Sequence, residues 1–349
     1  MSRVALTLII VIFLSSIIST PGSVARGEEK PLITVTAVPP MYAQYISLIG
    51  GNYVRVYSPI PPNVDPHTYE PTPDVINRAM NSDIVIVDVI GHLPIASKLV
   101  EMARERGVSY LIIYDELIKR GWRPLNKTSG TPDLHIEFDL NATLLFLDIV
   151  RDVLNSILKA KTSSDQALYE RISIYLNSSV DTLKSIISNT YSYARDHVSR
   201  VRNVALYSYV SLYLARSIGV DPVYILLEEP EMEPTPGDIN NLRLSGAKCI
   251  LILQGIERYS DRIISEIQSI GVTPAIVNIR ETIIENTPYL APVIVARELE
   301  RVCSSAQETS ARTSYSLYSD PIFIMLLAYS VVATIALAYL IYKRSVARR

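Results

Sequence analysis

The sequence predicts an α/β fold of two lobes, each with a four-stranded, mostly parallel sheet flanked by helices. One long rigid helix joins the lobes, and a C-terminal transmembrane helix follows them. Three observations predict this arrangement: eight short apolar runs separated by helical stretches, a long segment free of proline and glycine, and an apolar segment of bilayer length near the C-terminus.

The eight apolar runs divide equally between the two halves of the chain. They are residues 33–38, 53–57, 83–89 and 110–114, followed by 203–209, 223–227, 249–254 and 275–279. Continuously apolar strands separated by helices are typical of parallel sheets covered on both faces. The division into four and four favours two similar lobes over one sheet of eight strands.

The segment between the halves predicts a single long helix. Residues 164–199 contain no proline or glycine, and apolar residues such as Ile172, Leu176, Val180 and Leu183 recur at helical spacing. At ~1.5 Å per residue such a helix approaches ~50 Å, enough to run along both lobes. A coiled coil is the alternative, but the apolar stripe is short and lacks flanking charges.

The two ends of the chain predict membrane targeting and anchoring. Arg3, the apolar stretch 4–18 and the small residues 23–25 are typical of a secretory signal peptide, and its cleavage stays open. Residues 321–342 have the length of a membrane-spanning helix, and the basic residues after them predict a cytoplasmic C-terminus. The bulk of the chain is therefore expected to be extracellular or periplasmic, as part of a single-pass protein of the cell membrane.

The predicted organisation has seven parts. They are a signal peptide (1–25), an N-terminal α/β lobe (26–160), the interdomain helix (161–200), a C-terminal α/β lobe (201–303), a linker (304–320), the transmembrane helix (321–342) and a basic tail (343–349).

Composition excludes several classes of function. The formal net charge of −2 disfavours a nucleic-acid-binding protein, which would have a basic face. No nucleophile–base pair or glycine-rich phosphate loop indicates an enzyme. The two cysteines make no disulfide framework, and Cys249, inside an apolar run, is expected to be a buried thiol.

The segment Asp65-Pro66-His67-Thr68-Tyr69-Glu70-Pro71-Thr72-Pro73 predicts a stiff turn that presents His67. Each proline fixes its own φ and biases the preceding residue toward extended backbone. Imidazole is the commonest protein ligand for transition metals, so His67 is a candidate metal ligand at a cleft. The alternative is a turn whose histidine faces solvent.

A second histidine, His135, is expected to reach the same cleft. It lies in Asp133-Leu134-His135-Ile136-Glu137-Phe138-Asp139-Leu140, after the fourth predicted strand. Ligands of open α/β sheets bind at the carboxyl ends of the strands, and two facing lobes form a cleft there. Two histidines from separate loops, each flanked by acids, favour a metal site.

With these motifs the chain resembles the solute-binding proteins of zinc and manganese ABC transporters. The nonapeptide around His67 is similar to the first signature of that family, and residues 133–140 are similar to its second. Glu231-Met232-Glu233-Pro234-Thr235-Pro236 resembles a motif in its second lobe. The resemblance implies capture of zinc or manganese between the lobes and delivery to an ABC permease with its ATPase. It also implies a binding protein without enzymatic activity, and we expect a monomer.

The resemblance also implies four metal ligands, of which only His67 and His135 are retained. The third and fourth positions hold Ser208 and Asn278, neither of which supplies charge. Glu137 is the preferred substitute, because alternation in an extended segment would put it on the side of His135. His92, after the third strand, is a further candidate, although an ordinary loop histidine is the alternative.

Asp65 and Glu70 are expected to orient the imidazoles as hydrogen-bond acceptors, with simple turn chemistry as the alternative. Two functions remain open from the sequence. One is a membrane-tethered metal receptor of an ABC importer. The other is a degenerate pseudo-receptor of the same fold that serves as a surface interaction or adhesion module.

Overall fold

The computed structural model describes residues 31–61, 64, 66–279, 282 and 287–304. Each lobe contains one parallel sheet of four strands, in the orders β2-β1-β3-β4 and β6-β5-β7-β8. The prediction of two four-stranded parallel sheets is thus confirmed. The strands are β1 (Ile33–Val38), β2 (Val54–Tyr57), β3 (Ile84–Val87), β4 (Ser109–Ile112), β5 (Val204–Ser208), β6 (Tyr224–Leu227), β7 (Cys249–Gln254) and β8 (Thr273–Asn278).

Helices flank both sheets, and several begin at signals visible in the sequence. Proline occupies the first turn of several helices, among them those that begin at Pro40, Pro73, Pro94 and Pro236, where its missing N–H costs nothing. The α-helices of the described residues are α1 (Pro40–Gly50), α2 (Pro73–Met80), α3 (Pro94–Arg106), α4 (Ile113–Lys119), α5 (Leu140–Lys161), α6 (Gln166–Val198), α7 (Leu212–Ser217), α8 (Pro236–Leu244), α9 (Asp261–Ser269) and α10 (Ala291–Cys303).

Helix α6 is the predicted long helix. It has 33 residues, which corresponds to ~50 Å, and begins where the side chain of Asp165 accepts a hydrogen bond from the N–H of Leu168. It packs against α5 of the first lobe and α10 of the second. One continuous apolar core follows it through both lobes, and a separate cluster covers the other face of each sheet.

The two cysteines are linked, so the expectation of a buried free thiol at Cys249 was wrong. Cys249, at the start of β7, forms a disulfide with Cys303, the last residue of α10, across 54 positions of sequence. Both residues are buried. The bond fastens the last described helix, which lies against α6, to the sheet of the second lobe.

The predictions for the chain ends lie outside the described residues. These are the signal peptide, the transmembrane helix 321–342, the basic tail and all but the first residue of the linker. Within the part of the chain that is described, no helix is both long and apolar enough to cross a bilayer. The predicted domain boundaries stay predictions.

Candidate metal centre

Three histidines of the first lobe converge at the carboxyl ends of its strands. His67 follows β2, His92 follows β3 and His135 follows α4. Their ring centroids lie 5.1 Å (His67–His92), 4.9 Å (His92–His135) and 6.1 Å (His67–His135) apart. One ring nitrogen from each lies within 4.8 Å of the others. Two nitrogens bound to one tetrahedral zinc ion at ~2.1 Å are ~3.4 Å apart, so a shift of about an ångström or less in each side chain brings the rings to ligand spacing.

His92 is oriented by a buried carboxylate. Its Nδ1 lies 2.9 Å from Oδ2 of Asp88, which is fully buried directly after β3. Gly91 makes the intervening turn with a φ of 87°, a left-handed conformation that glycine adopts without steric cost. The buried Nε2 of His92 has no hydrogen-bond partner among the described residues. With the proton on Nδ1, the Nε2 lone pair is available to a metal ion.

His135 has the same arrangement. Its Nδ1 lies 2.7 Å from Oδ1 of the fully buried Asp133, and its Nε2 is buried without a hydrogen-bond partner in the described part of the chain. The backbone of Asp133 is held twice: its N–H donates to the carbonyl of Leu125, and its carbonyl accepts from the hydroxyl of Tyr213 in the second lobe. The His135 imidazole is therefore positioned by contacts from both lobes.

His67 is presented by the proline-rich turn and faces the second lobe. The turn ends at Thr72, whose hydroxyl caps α2 by accepting from the N–H of Val75. Nε2 of His67 lies 3.6 Å from Oε1 of Glu231, a residue of the loop between β6 and α8. His67 thus lies where the two lobes meet.

Burial and buried charge act in opposite directions on the two aspartate-paired histidines. Burial disfavours the charged form of His92, but the hydrogen bond and negative charge of Asp88 outweigh it and raise its pKa. For His135, burial outweighs the hydrogen bond that its imidazole donates to Asp133 and lowers the pKa. His135 is therefore neutral and ready to coordinate at neutral pH, whereas His92 holds a proton more strongly than a free imidazole.

The histidines open into a cavity of about 820 Å³ between the lobes. The prolines and aliphatic residues that follow β1 and β2 form much of its wall. Three carboxylate side chains and one guanidinium also line it: Glu137, Glu231, Glu257 and Arg258. In the first sheet, the chain passes from β1 to its neighbour β2 on one side and from β3 to its neighbour β4 on the other side. The cavity therefore lies at the switch point between β1 and β3, where open α/β sheets bind ligands.

Glu137 lies in this cavity, although not for the reason the sequence suggested. Residues Ile136–Phe138 form a 3₁₀ turn rather than an extended segment, so the alternation argument fails. Glu137 is not one of the three residues whose ligand atoms cluster within 4.8 Å. Burial raises its pKa to about 7. Its role as a metal ligand stays a prediction.

Ser208 and Asn278 do not join the histidine cluster. Ser208 is fully buried at the end of β5, and its hydroxyl donates to Oε1 of Glu257 at 2.5 Å. Asn278 ends β8 and is exposed. Neither residue lines the cavity. Both remain untested as ligands, but the geometry favours Glu231 and Glu257 as the groups through which the second lobe reaches the cavity.

The expected accessory carboxylates Asp65 and Glu70 have no observed part in the site. Asp65 lies outside the described residues, and Glu70 is exposed. The groups that orient the imidazoles are Asp88 and Asp133 instead. Asp133 was visible in the motif around His135, and Asp88 could have been found as the acid four residues before His92 at the end of an apolar strand.

Comparisons with known proteins agree with this architecture. The model of the family described as ZnuA, zinc-uptake complex component A periplasmic, matches residues 35–279. The manganese ABC transporter substrate-binding lipoprotein PsaA of Streptococcus mitis is 23% identical over 241 residues, covering 66% of this chain and 75% of the relative. The iron ABC transporter substrate-binding lipoprotein MtsA of Streptococcus pyogenes is 24% identical over 238 residues, covering 66% and 73%.

Solved structures share the fold. The substrate-binding protein FpvC of Pseudomonas aeruginosa, in complex with Mn²⁺, has a TM-score of 0.54 at 21% identity, covering 80% of this chain and 100% of that one. Zn(II)-bound AdcA of Streptococcus pneumoniae has a TM-score of 0.55 at 15% identity, covering 82% and 62%. Because the family model matches well over half of the sequence, this chain belongs to the ZnuA family.

Proposed function

We propose that the protein captures a divalent transition metal, zinc or manganese, in the interlobe cavity and delivers it to an ABC permease driven by an ATPase. The observation that carries this proposal is the cluster of His67, His92 and His135. Two of its rings are oriented by buried aspartates, the pattern that metal-binding histidines need. The metal is cargo, and the chain performs no chemistry on it.

The protein's contribution is to hold the imidazole ligands in a prearranged geometry. Asp88 and Asp133 fix the tautomers, so the Nε2 atoms of His92 and His135 point their lone pairs into the cluster. The buried negative charge of these aspartates offsets part of the charge of a dication. The core shared along α6 favours small lobe tilts over wide hinge closure.

Equilibrium titration of the purified full-length protein with zinc tests the proposal. We expect one zinc ion per chain, and a large loss of affinity in His92→Ala and in the His67→Ala/His135→Ala double variant. His197→Ala is the matched control, since His197 pairs with Glu300 at the end of α6 and does not line the cavity. Absence of stoichiometric zinc and manganese binding by the wild type would contradict the receptor function.

The pseudo-receptor is the weaker alternative. It was motivated by Ser208 and Asn278 at expected ligand positions, but a third histidine, His92, now accompanies His67 and His135. The two buried aspartate–histidine pairs are of the kind that orients metal ligands, which favours metal binding over its loss. The relatives named above are transport proteins, which gives adhesion no support.

We also propose that residues 321–342 anchor the protein, with the lobes outside the cell. The relatives PsaA and MtsA are lipoproteins, whereas the two cysteines of this chain, Cys249 and Cys303, are joined in a disulfide. An apolar helix followed by basic residues is a sufficient alternative anchor. Deleting residues 321–349 in the native host should move the protein from the membrane fraction to the soluble fraction. Retention in the membrane would contradict the tether.

A further inference from the structure

The loop between β6 and α8 carries a row of acidic residues that contact the first lobe. Oε1 of Glu228 accepts from the N–H of Ser129 at 3.0 Å, and Glu229 pairs with the ammonium of Lys127. Two positions further on, Oε1 of Glu231 lies 3.6 Å from Nε2 of His67. This loop therefore runs from the segment before His135 to the histidine cluster itself.

A dication in this cluster needs negative charge that the histidines do not supply. All three come from the first lobe, and the nearby Asp88 and Asp133 each already accept a hydrogen bond from an imidazole. Three neutral imidazoles also leave a fourth coordination position open on a tetrahedral ion. Glu137 lines the cavity too, but it belongs to the same lobe as the histidines, so a ligand from the second lobe must be an oxygen of the opposite wall.

Two carboxylates of the second lobe line that wall, Glu231 and Glu257. Both oxygens of Glu257 are engaged within its own lobe, Oε1 with the hydroxyl of Ser208 and Oε2 with the N–H of Leu253, each at 2.5 Å. Glu257 thus braces β5 against β7. Glu231 instead extends toward the cluster, and its 3.6 Å separation from His67 Nε2 is within the spacing of two atoms that share one metal ion.

We propose that Glu231 supplies the metal ligand of the second lobe and so ties the two lobes together through the captured ion. The inference rests on the proposed function. Glu228 and Glu229, fastened to the first lobe by Ser129 and Lys127, position the loop so that Glu231 reaches the ion. When the ion is released, Glu231 loses its link to the histidines of the first lobe. The contacts of Glu228 with Ser129 and of Glu229 with Lys127 remain.

Three carboxylate-to-amide variants of the full-length protein test the assignment: Glu231→Gln, Glu257→Gln and Glu233→Gln. Glu233 is the matched control, because it belongs to the same loop but is exposed and does not line the cavity. Calorimetric zinc titration gives the affinity. The absorption spectrum of bound Co²⁺ reports the ligand set directly, because a lost carboxylate ligand shifts its d–d bands whereas a distant charge does not.

We expect Glu231→Gln to weaken zinc binding by at least about tenfold, as losses around metal sites do, and to shift the Co²⁺ bands. Glu233→Gln and Glu257→Gln should keep the wild-type Co²⁺ spectrum. If Glu231→Gln binds both metals as Glu233→Gln does, or if only Glu257→Gln changes the spectrum, the inference is wrong while zinc binding through the histidines stands. Failure of the wild type to bind zinc would instead contradict the proposed function itself.

Discussion

Asp88 and His92 form a buried pair in which Oδ2 of the aspartate lies 2.9 Å from Nδ1 of the imidazole. Both residues come from the segment that follows β3, separated by the turn at Gly91. The strand end thus supplies a metal-ligand candidate together with the acceptor that orients it. This pairing favours His92, rather than an additional acid, as the third metal ligand beside His67 and His135.

Replacing Asp88 with asparagine should weaken zinc binding by about 10- to 100-fold, because a neutral amide replaces the anionic acceptor that fixes the His92 tautomer and strengthens its basicity. The variant keeps the shape of the side chain, so the fold should survive. Asp115→Asn is the control, since Asp115 is exposed at the start of α4. Competition with a chromophoric chelator measures the affinities. Equal zinc affinities in Asp88→Asn and Asp115→Asn would show that Asp88 does not support the metal site.

Zinc affinity should fall steeply as the pH is lowered. Burial disfavours protonated His92, but Asp88 outweighs it and raises the pKa above its ordinary value, which is about 6.5. A raised pKa means that the proton is held more tightly, so zinc must displace a proton from His92 already at pH values above that ordinary value. Below the pKa of His92 we expect about a tenfold loss per pH unit for each proton displaced.

Chelator competition at a series of pH values in Asp88→Asn checks the cause. Without the aspartate, only the negative charges of Glu137 and Asp133 still oppose the effect of burial on His92, and the onset of the loss should move to lower pH. An unchanged onset would mean that another group controls the pH dependence.

Zinc should bind more tightly than manganese, by at least roughly tenfold, because imidazole-rich sites suit zinc and the affinity order of divalent metals places manganese lowest. Displacement of bound Mn²⁺ by zinc, followed through the electron paramagnetic resonance signal of released Mn²⁺, measures the ratio. Equal affinities would indicate an oxygen-dominated site in which Glu137, Glu231 or other oxygens outnumber the histidines.

The disulfide between Cys249 and Cys303 should contribute substantially to stability. Closing a loop of 54 residues corresponds to about 4 kcal/mol of denatured-state entropy in the chain-entropy model. The double variant Cys249→Ser/Cys303→Ser should therefore lower the free energy of unfolding by about 2–4 kcal/mol, measured by denaturant titration. Metal affinity should persist, since neither cysteine lines the cavity. Unchanged stability would contradict this role.

The sequence was sufficient for the architecture because its signals were local. Apolar runs located all eight strands within a few residues, and the absence of proline and glycine identified α6. The disulfide was missed because its partners lie 54 positions apart. Burial of Cys249 in an apolar run fits a thiol and a disulfide equally well, and only the packing of α10 distinguishes them.

The site was predicted only in part, because sequence motifs are local and contacts between distant segments are not visible in them. His67 and His135 stand in recognisable motifs, whereas His92 was a candidate only from its place after the third strand, and its closeness to the other two is visible only in the folded chain. The contact of His67 with Glu231 joins segments from different lobes. No sequence pattern relates Ser208 to Glu257, although their side chains are hydrogen-bonded.

X-ray absorption at the zinc edge of the metal-loaded full-length protein identifies the ligands of the bound ion and so tests the three-histidine site. We expect three imidazole nitrogens at ~2.0–2.1 Å together with one carboxylate oxygen. The His92→Ala variant should lose one imidazole from this shell. A wild-type zinc shell with only two imidazoles, and no change in His92→Ala, would contradict the three-histidine site.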